Sequence, residues 1–466
     1  MKKLCCFIMV CLMSLSPFFV LPTAAAHEDF DVQSGVLIKY NGSDTDVTLP
    51  GHITAVGNSA FEGNTNVRSV KLNDSVCAIG DRAFYGCSSL SSVTAGDSIT
   101  EVGDMAFYGT PYLDNSTVKY LILGSVLLWY NGTSDSVTIP MRCTAVASYA
   151  FARCEYLKSF TAYEGLISIG TGAFYGCSKL ESVNLPATLS AVGAYAFDGT
   201  PYLRSAGDFA VAGDGVLLRY QGSAADAEVP DTVRRIASHA FISSKTKTVT
   251  VPDSVYGIDA YAFADCTGLE SIALPEGLIT IGDGAFRGCK NLKELKTPAS
   301  LSYIGQFAFH GDESITGASL CGDDLTVSDN AFKGCTAMRY VLLSDGVLAL
   351  YNNAFDGCTA LEGISVSPKT TDISAVSLSG CTKAVVCCED NSAAKSALSS
   401  HTLNTVMGDV DSGGELDVLD ATIIQCYIAH LTELNGTQTA SADVDFNGEI
   451  NIMDAFTCQL KIVHLM

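Results

Sequence analysis

Tryptophan occurs once, and basic residues are scarce: 27 Lys+Arg stand against 50 Asp+Glu, for a formal net charge of −23. A chain this acidic lacks the cationic face that nucleic acid and anionic membranes require, so no nucleic-acid partner is expected. Charged residues make up only 17 % and hydrophobic ones 48 %, which excludes intrinsic disorder. Histidine is also sparse, at 7, and none shares a local motif with a serine, a cysteine or a carboxylate. No H-E-x-x-H, G-x-S-x-G or phosphate-cradling glycine loop is present, so no catalytic residue is expected. After Pro22 no apolar run is long enough to span a bilayer, which predicts no membrane insertion of the mature chain.

The one long apolar run is at the start. Lys2 and Lys3 precede an apolar stretch over 4–22, and Ala24-Ala25-Ala26 supplies small residues at a cleavage site before His27. This layout predicts a secretory signal peptide over residues 1–26 and an exported mature chain. The remaining length allows two to four domains.

What is abundant is repetition. An Ala-Phe pair recurs with Phe at 61, 84, 107, 151, 174, 197, 241, 263, 286, 309, 332 and 355, in steps of 23 residues, once 22 and twice 44. Five residues before each Phe stands an aliphatic side chain, from Val56 and Ile79 through Ile169 to Leu350. Side chains held at one phase of such a period face a common axis, and units stack because none can bury that face alone. A longer period is superimposed: Val36–Gly42 matches Val126–Gly132 and Val216–Gly222 at spacings of 90 residues. In each copy Asn-Gly or Gln-Gly between apolar runs predicts an extra hairpin.

Within one unit, Glu181–Pro186 reads as a short strand, Ser190–Gly193 as a second, and Ala194–Gly199 as a helical turn closed by glycine. The pattern L-x-S-V-x-L-P-x-x-L-x-x-I-G-x-x-A-F-x-G-C resembles the BspA-like, 23-residue bacterial leucine-rich repeat over roughly residues 35–388. The resemblance implies a solenoid with a parallel sheet along one face, used as an extended binding surface. Pro111 and Pro201 mark units that depart from the plain repeat.

Cys87, Cys154, Cys177, Cys266, Cys289, Cys335, Cys358 and Cys381 share one phase, three residues after Phe or its Leu378 equivalent. They read as a buried ladder of small apolar thiols. Rungs about 5 Å apart leave a disulfide such as Cys154–Cys177 open, although an odd number of cysteines after residue 26 argues against a full disulfide framework. The adjacent pair Cys387-Cys388 has no place in this scheme. His239 and His310 take phases held by tyrosine elsewhere and read as surface positions of the helical turn. Those tyrosines, and Trp129-Tyr130, are either stacking groups for a sugar or protein or a plain cover of the coil edge.

The chemistry changes after residue 404. Residues 389–406, with Ala393, Ala394, Ala397 and Leu398, read as a cap and linker. Then Asp409-Val-Asp411-Ser-Gly413-Gly414-Glu415-Leu-Asp417-Val-Leu-Asp420 recurs as Asp443-Val-Asp445-Phe-Asn447-Gly448-Glu449-Ile-Asn451-Ile-Met-Asp454, offset by 34. Oxygen-bearing side chains stand at loop positions 1, 3, 9 and 12, Asn447 adds one at position 5 of the second loop, and glycine at 6 permits the bend that presents the carbonyl of position 7, Glu415 or Glu449. Hard cations need six to eight oxygens, so the two loops predict two Ca2+ ions.

Each loop opens one helix, and Ile428-Ala-His430-Leu431 matches Ile462-Val-His464-Leu465. Residues 407–466 thus resemble a type I dockerin, with Asp in place of the EF-hand Glu at position 12 and no helix before the loop. The resemblance implies calcium-dependent folding and docking to a cohesin domain of a scaffoldin. It places partner-reading residues at Val418, Leu419, Gln425 and Cys426 and at Ile452, Met453, Gln459 and Leu460, an apolar set that suggests a hydrophobic contact.

The expected architecture is a leucine-rich-repeat solenoid of short parallel strands and helical turns, a β-rich α/β fold, over 27–388 with three hairpin inserts, then a small all-α calcium-binding dockerin over 407–466. The expected role is a secreted, non-catalytic adhesion component of a bacterial extracellular or cell-surface complex. The solenoid would recognise a protein or glycan ligand, and the dockerin would attach it to a cellulosome-like scaffold. The alternatives are an enzyme with its site on the solenoid, or an inhibitor of polysaccharide degradation carried by the same dockerin.

Overall fold

The computed structural model describes residues 29–389, 392–413 and 415–463. The expected signal peptide, Gly414, His464 and Leu465 lie outside the described residues. The chain forms two compact units, Met1–Ala206 with Ala212–Asp214, and Gly207–Val211 with Gly215–Met466. Each is a stack of coils built from two series of short parallel strands.

In the first unit one series runs Asp46–Thr48, Ser69–Lys71, Ser92–Thr94, with Val47 opposite Val70 and Val70 opposite Val93. The other includes Ala55–Val56, Ala78–Ile79 and Glu101–Val102. Proline limits strand length: Pro140 and Pro186 follow two residues after Ser136–Thr138 and Ser182–Asn184, and a residue without an N–H ends a ladder. In each strand the middle side chain faces the core, and the flanking Ser, Thr, Asp or Lys faces outward, the period-two consequence of the pleat.

The phenylalanines form a spine. Phe61, Phe84 and Phe107 stack with ring centroids 4.8 and 5.1 Å apart, and Phe263, Phe286, Phe309, Phe332 and Phe355 continue the motif in the second unit at 4.9–5.1 Å. Tyr40, Tyr130 and Tyr220 each begin a run by stacking on Phe61, Phe151 and Phe241. The 44-residue steps therefore contain a coil whose spine residue is tyrosine.

Two expectations need correction. The hairpin is not at Asn41-Gly42. It joins Phe30–Gln33 to Val36–Tyr40 through Ser34-Gly35, and Tyr120–Leu123 pairs antiparallel with Val126–Tyr130 in the same way. Ser34 and Gly35 both have positive φ, 48° and 82°, which a two-residue type I′ turn requires, and Asn41 and Gly42 do not. Asn41-Gly42 instead turns the corner from one sheet to the other. Second, the Ala-Phe segment is not a helical turn. The residue two before Phe lies in the left-handed region, with φ of 57° at Ser59, 61° at Tyr149 and 57° at Tyr261. That conformation costs an L-residue about 1–2 kcal/mol. It directs the N–H of Tyr149 to the Thr171 carbonyl and that of Tyr261 to the Asp283 carbonyl, both at 2.9 Å, so stacking of the next coil offsets the strain. His239 sits at this phase, half-buried and stacked on Tyr261. Among the described residues, four-residue helices occur only where the repeat is broken: α1 (Pro111–Asp114) and α2 (Pro201–Arg204), each capped by a threonine hydroxyl and opened by proline.

All described cysteines are free thiols. Except at Cys154, whose preceding coil has Tyr130 in the spine, each ladder thiol donates to the carbonyl of the Phe one coil earlier, as Cys87 to Phe61 and Cys177 to Phe151 at 3.0 Å, and Cys289 to Phe263 at 3.2 Å. Burial pushes the Cys87 thiol up to about 11 and the Cys177 thiol up to about 12, which keeps them protonated and inert. Asp312 occupies the same phase in the second unit, fully buried, with Oδ1 accepting from the Cys289 N–H at 2.8 Å.

The last coils of the second unit differ. Gly317–Leu320, Tyr340–Leu343, Gly363–Val366 and Val385–Cys388 are four residues long and no proline follows at the earlier position. Cys388 points into the solenoid core, and Cys387 points to the other face, against Leu342, Met407, Ala440 and Phe446. This alternation gives the Cys-Cys pair its structural role. The short helix α3 (Ala393–Ala397) buries Ala394, and Leu398 joins it in closing the core.

Candidate metal centre

Three helices follow in the second unit: α4 (Val418–Ile428), α5 (Gly436–Ala442) and α6 (Ile452–Ile462). α4 and α6 enclose a small core of Val410, Ala421, Ile424, Val444, Ala455 and Cys458. The dockerin resemblance implies no helix before a loop, but α5 ends immediately before Asp443. Asn435 starts it with a reciprocal capping box to Gln438.

The two loops are built alike. Asp409, Asp411 and Asp420 converge, as do Asp443, Asp445 and Asp454, with one carboxylate oxygen from each residue of a group within 4.8 Å of the others. Position 12 organises each loop. Asp420 Oδ1 accepts from the N–H groups of Val410 and Asp411 at 2.8 and 3.0 Å, and its Oδ2 accepts from Asp417 at 2.9 Å. Asp454 repeats this with Val444 at 2.8 Å and Asn451 at 2.8 Å. Position 9 caps the following helix: Asp417 accepts from Leu419 at 2.6 Å, and Asn451 from Met453 at 2.8 Å. Position 4 takes positive φ in both loops, 64° at Ser412 and 54° at Phe446, and Gly448 follows at 82°.

Asp409 and Asp420 are buried, and so are Asp443 and Asp454. Burial, with repulsion from Asp454 and Asp445, pushes the Asp443 carboxyl up to about 8. Burial and the Asp445 charge push Asp454 up to about 6, although the amides of Asn451 and Val444 oppose the rise. Acids crowded in this way are relieved by a divalent cation, and an all-oxygen donor set is the one that suits a hard ion. The residues therefore fit calcium. Asn447 Oδ1 accepts from the Glu449 N–H at 2.8 Å, and its amide group donates to Asp445 at 3.0 Å. The Glu415 side chain is exposed, and that of Glu449 pairs with Lys296 of the solenoid.

The expected partner-reading residues are on the surface. Val418 and Ile452 are 70 % and 61 % exposed, Leu419 and Met453 are close behind, Gln425 and Gln459 are exposed, and Cys426 and Leu460 are half-buried. Phe456, Leu431 and Val463 add exposed apolar groups that the motif comparison missed. Phe456 lies one turn beyond Ile452 on α6, so helical spacing was the signal that would have found it.

Of the candidate stacking groups on the solenoid, Tyr130 is buried in the spine, and the Trp129 indole N–H donates to Asn131 at 3.1 Å. Tyr108, Tyr156 and Tyr175 are exposed, and Tyr85 stacks on Tyr108.

The repeat geometry and the paired acidic loops have counterparts in known families. The profile of the BspA type leucine-rich repeat region matches in 6 copies over residues 39–123, 127–206, 219–339 and 324–394. The chain belongs to the BspA type leucine-rich-repeat family. The profile of the type I dockerin domain matches residues 407–458. Among solved structures, a leucine-rich repeat protein from Eubacterium ventriosum is 19 % identical, over 75 % of this chain and 89 % of that one, with a TM-score of 0.38. A leucine-rich cell surface protein from Faecalibacterium prausnitzii is 23 % identical, over 82 % of this chain and 98 % of that one, with a TM-score of 0.27. The pneumococcal vaccine antigen PcpA is 18 % identical, over 82 % and 96 %, with a TM-score of 0.33. Likenesses of this size carry no argument about a ligand. No curated protein matches the chain.

Type I dockerins bind calcium and imply a cohesin partner, and both matched families are typical of extracellular bacterial proteins. Neither matched family is a catalytic domain. No helix among the described residues is long and apolar enough to cross a membrane.

Proposed function

We propose that this chain is a secreted, non-catalytic binding component of a cellulosome-like complex. The solenoid recognises a protein or glycan ligand, and the dockerin docks on a cohesin of a scaffoldin through Val418, Leu419, Gln425, Cys426 and their counterparts on α6. Two Ca2+ ions hold the docking helices in place, one in each loop. The observation that carries this reading is the tandem of convergent carboxylate triads, each opening a helix whose first residues are exposed and apolar. The layout of residues 1–26 supports export.

The test is capture of the full chain on cohesin-displaying beads. Retention in millimolar calcium and release by chelator is the expected result. Calcium-independent retention, or none on any cohesin, sinks the docking role. A carbohydrate array and a surface-protein array, probed with the captured chain, then identify the class of solenoid ligand.

A further inference from the structure

Outward positions of the strand series are polar along most of the second unit, as at Asp226, Glu228, Thr248 and Thr250. Over the last coils most of them are no longer polar: they become Gly317, Tyr340, Leu342, Gly363, Val385 and Cys387, with Ser319 and Ser365 as the polar exceptions. Leu342 and Cys387 are 3 % and 0 % exposed because α5 and Phe446 lie on them. The change of composition is thus a seat for the C-terminal module.

The fit is close and specific. A Cβ at Gly363 would lie 2.3 Å from the Gly436 carbonyl oxygen, and one at Gly436 would lie 2.2 Å from that of Arg339. Glu362 accepts twice from α5, through its carboxylate from the Gly436 N–H at 2.7 Å and through its carbonyl from the Thr437 hydroxyl at 3.0 Å. Four consecutive positions of the second calcium loop also touch the solenoid. The Phe446 carbonyl accepts from the Asp345 N–H at 2.9 Å, the Asn447 carbonyl accepts from the Cys321 thiol at 3.5 Å, Gly448 lies against that sulfur, and Glu449 pairs with Lys296. The corresponding residues of the first loop, Ser412, Gly413 and Glu415, are exposed.

We propose that the last coils of the solenoid are an intramolecular docking seat that holds the second calcium loop in shape, so that calcium at loop two and seating of the module strengthen each other, and do so more than at loop one, which meets the seat through Met407 and, at Asp409, through the Ser441 hydroxyl of α5. The coupling is reciprocal: what seating adds to calcium affinity, calcium adds to seating. The seat leaves Val418, Leu419, Ile452 and Met453 exposed, so a seated module still presents its docking face. It also withdraws the last coils from the surface open to an external ligand. The proposal rests on the reading of the loops as calcium sites.

The test uses the full chain in three forms: unaltered, Gly363→Glu and Gly436→Asp. The two substitutions wedge the contact from opposite sides, and neither touches a calcium ligand. Calcium titration calorimetry is paired with hydrogen exchange of amides 436–449. The expected result is that both variants weaken one of two binding steps about tenfold or more, weaken the other less, and lose protection over 436–449. Asp443→Ala should remove the same step. If both variants lose protection but keep both calcium steps, the loop is self-sufficient and the coupling is refuted. If both keep protection, the seat is refuted. If the unaltered chain binds no calcium, the calcium reading fails, an outcome distinct from the other two, and the coupling falls with it. Two independent variants guard against one misfolding for its own reasons.

Discussion

Replacing Asp312 by cysteine, the residue most other coils carry at that phase, should stabilise the solenoid, and more so at neutral pH than in acid. Asp312 is fully buried, and its Oδ2 has no hydrogen-bond partner. Burial pushes its carboxyl well above the usual carboxylate range, and the Cys289 and Gly288 amides oppose this only in part. The unfolded chain has no such burden, so its carboxyl ionises near the ordinary value of about 3.9. Below that pH both states are protonated, and the titration costs nothing. As pH rises the unfolded state ionises first, and stability falls until the folded pKa is passed. Each unit of separation is worth about 1.4 kcal/mol. The partnerless oxygen adds about 1–3 kcal/mol at any pH. A thiol removes both costs. The Cys289 N–H keeps the Phe286 carbonyl at 3.0 Å, so the exchange orphans no donor. Asp312→Cys should therefore gain about 2 kcal/mol or more at pH 7, with a smaller gain at pH 4. Urea unfolding at the two pH values measures both gaps. An equal gap at both, or a loss at pH 7, would refute the buried, protonated carboxyl.

Two further outcomes follow from the same geometry. Ile169 is 1 % exposed and Tyr175 is 44 % exposed, so Ile169→Asp should cost about 4 kcal/mol or more and Tyr175→Asp about 0.5 or less, read by thermal and urea melts; equal losses would break the assignment of repeat phase. In calcium calorimetry of the full chain, Asp443→Ala should remove the tighter step, since Asn447 offers an oxygen at position 5 where Gly413 offers none. Loss of the tighter step in Asp409→Ala would instead favour the loop with more carboxylates.

The repeat is written in the sequence because every coil makes the same contacts with the next. Phe286 stacks on Phe309 as Phe309 stacks on Phe332, so the 23-residue period alone named the spine, the aliphatic ladder and the thiol phase. The acidic loops were legible for a similar reason: ligands spaced within twelve residues must fold around one centre, and Asp443, Asp445 and Asp454 do converge. Local backbone geometry was less so. Asn41-Gly42 carries a hairpin signal, yet the chain spends it on a corner, because Ser34-Gly35 already closes the hairpin and Tyr40 is committed to the spine. Left-handed φ at Tyr149 or Tyr261 could not be read from a tyrosine, since only the next coil's carbonyl makes that conformation worthwhile. The tertiary structure alone decided where the C-terminal module rests. Lys296 and Glu449 are 153 residues apart, and nothing periodic links them. Gly363 in a strand and Gly436 in a helix are unremarkable until their backbones meet. A repeat fixes contacts between neighbours, whereas the seat depends on two surfaces from different folds matching once, which no period records.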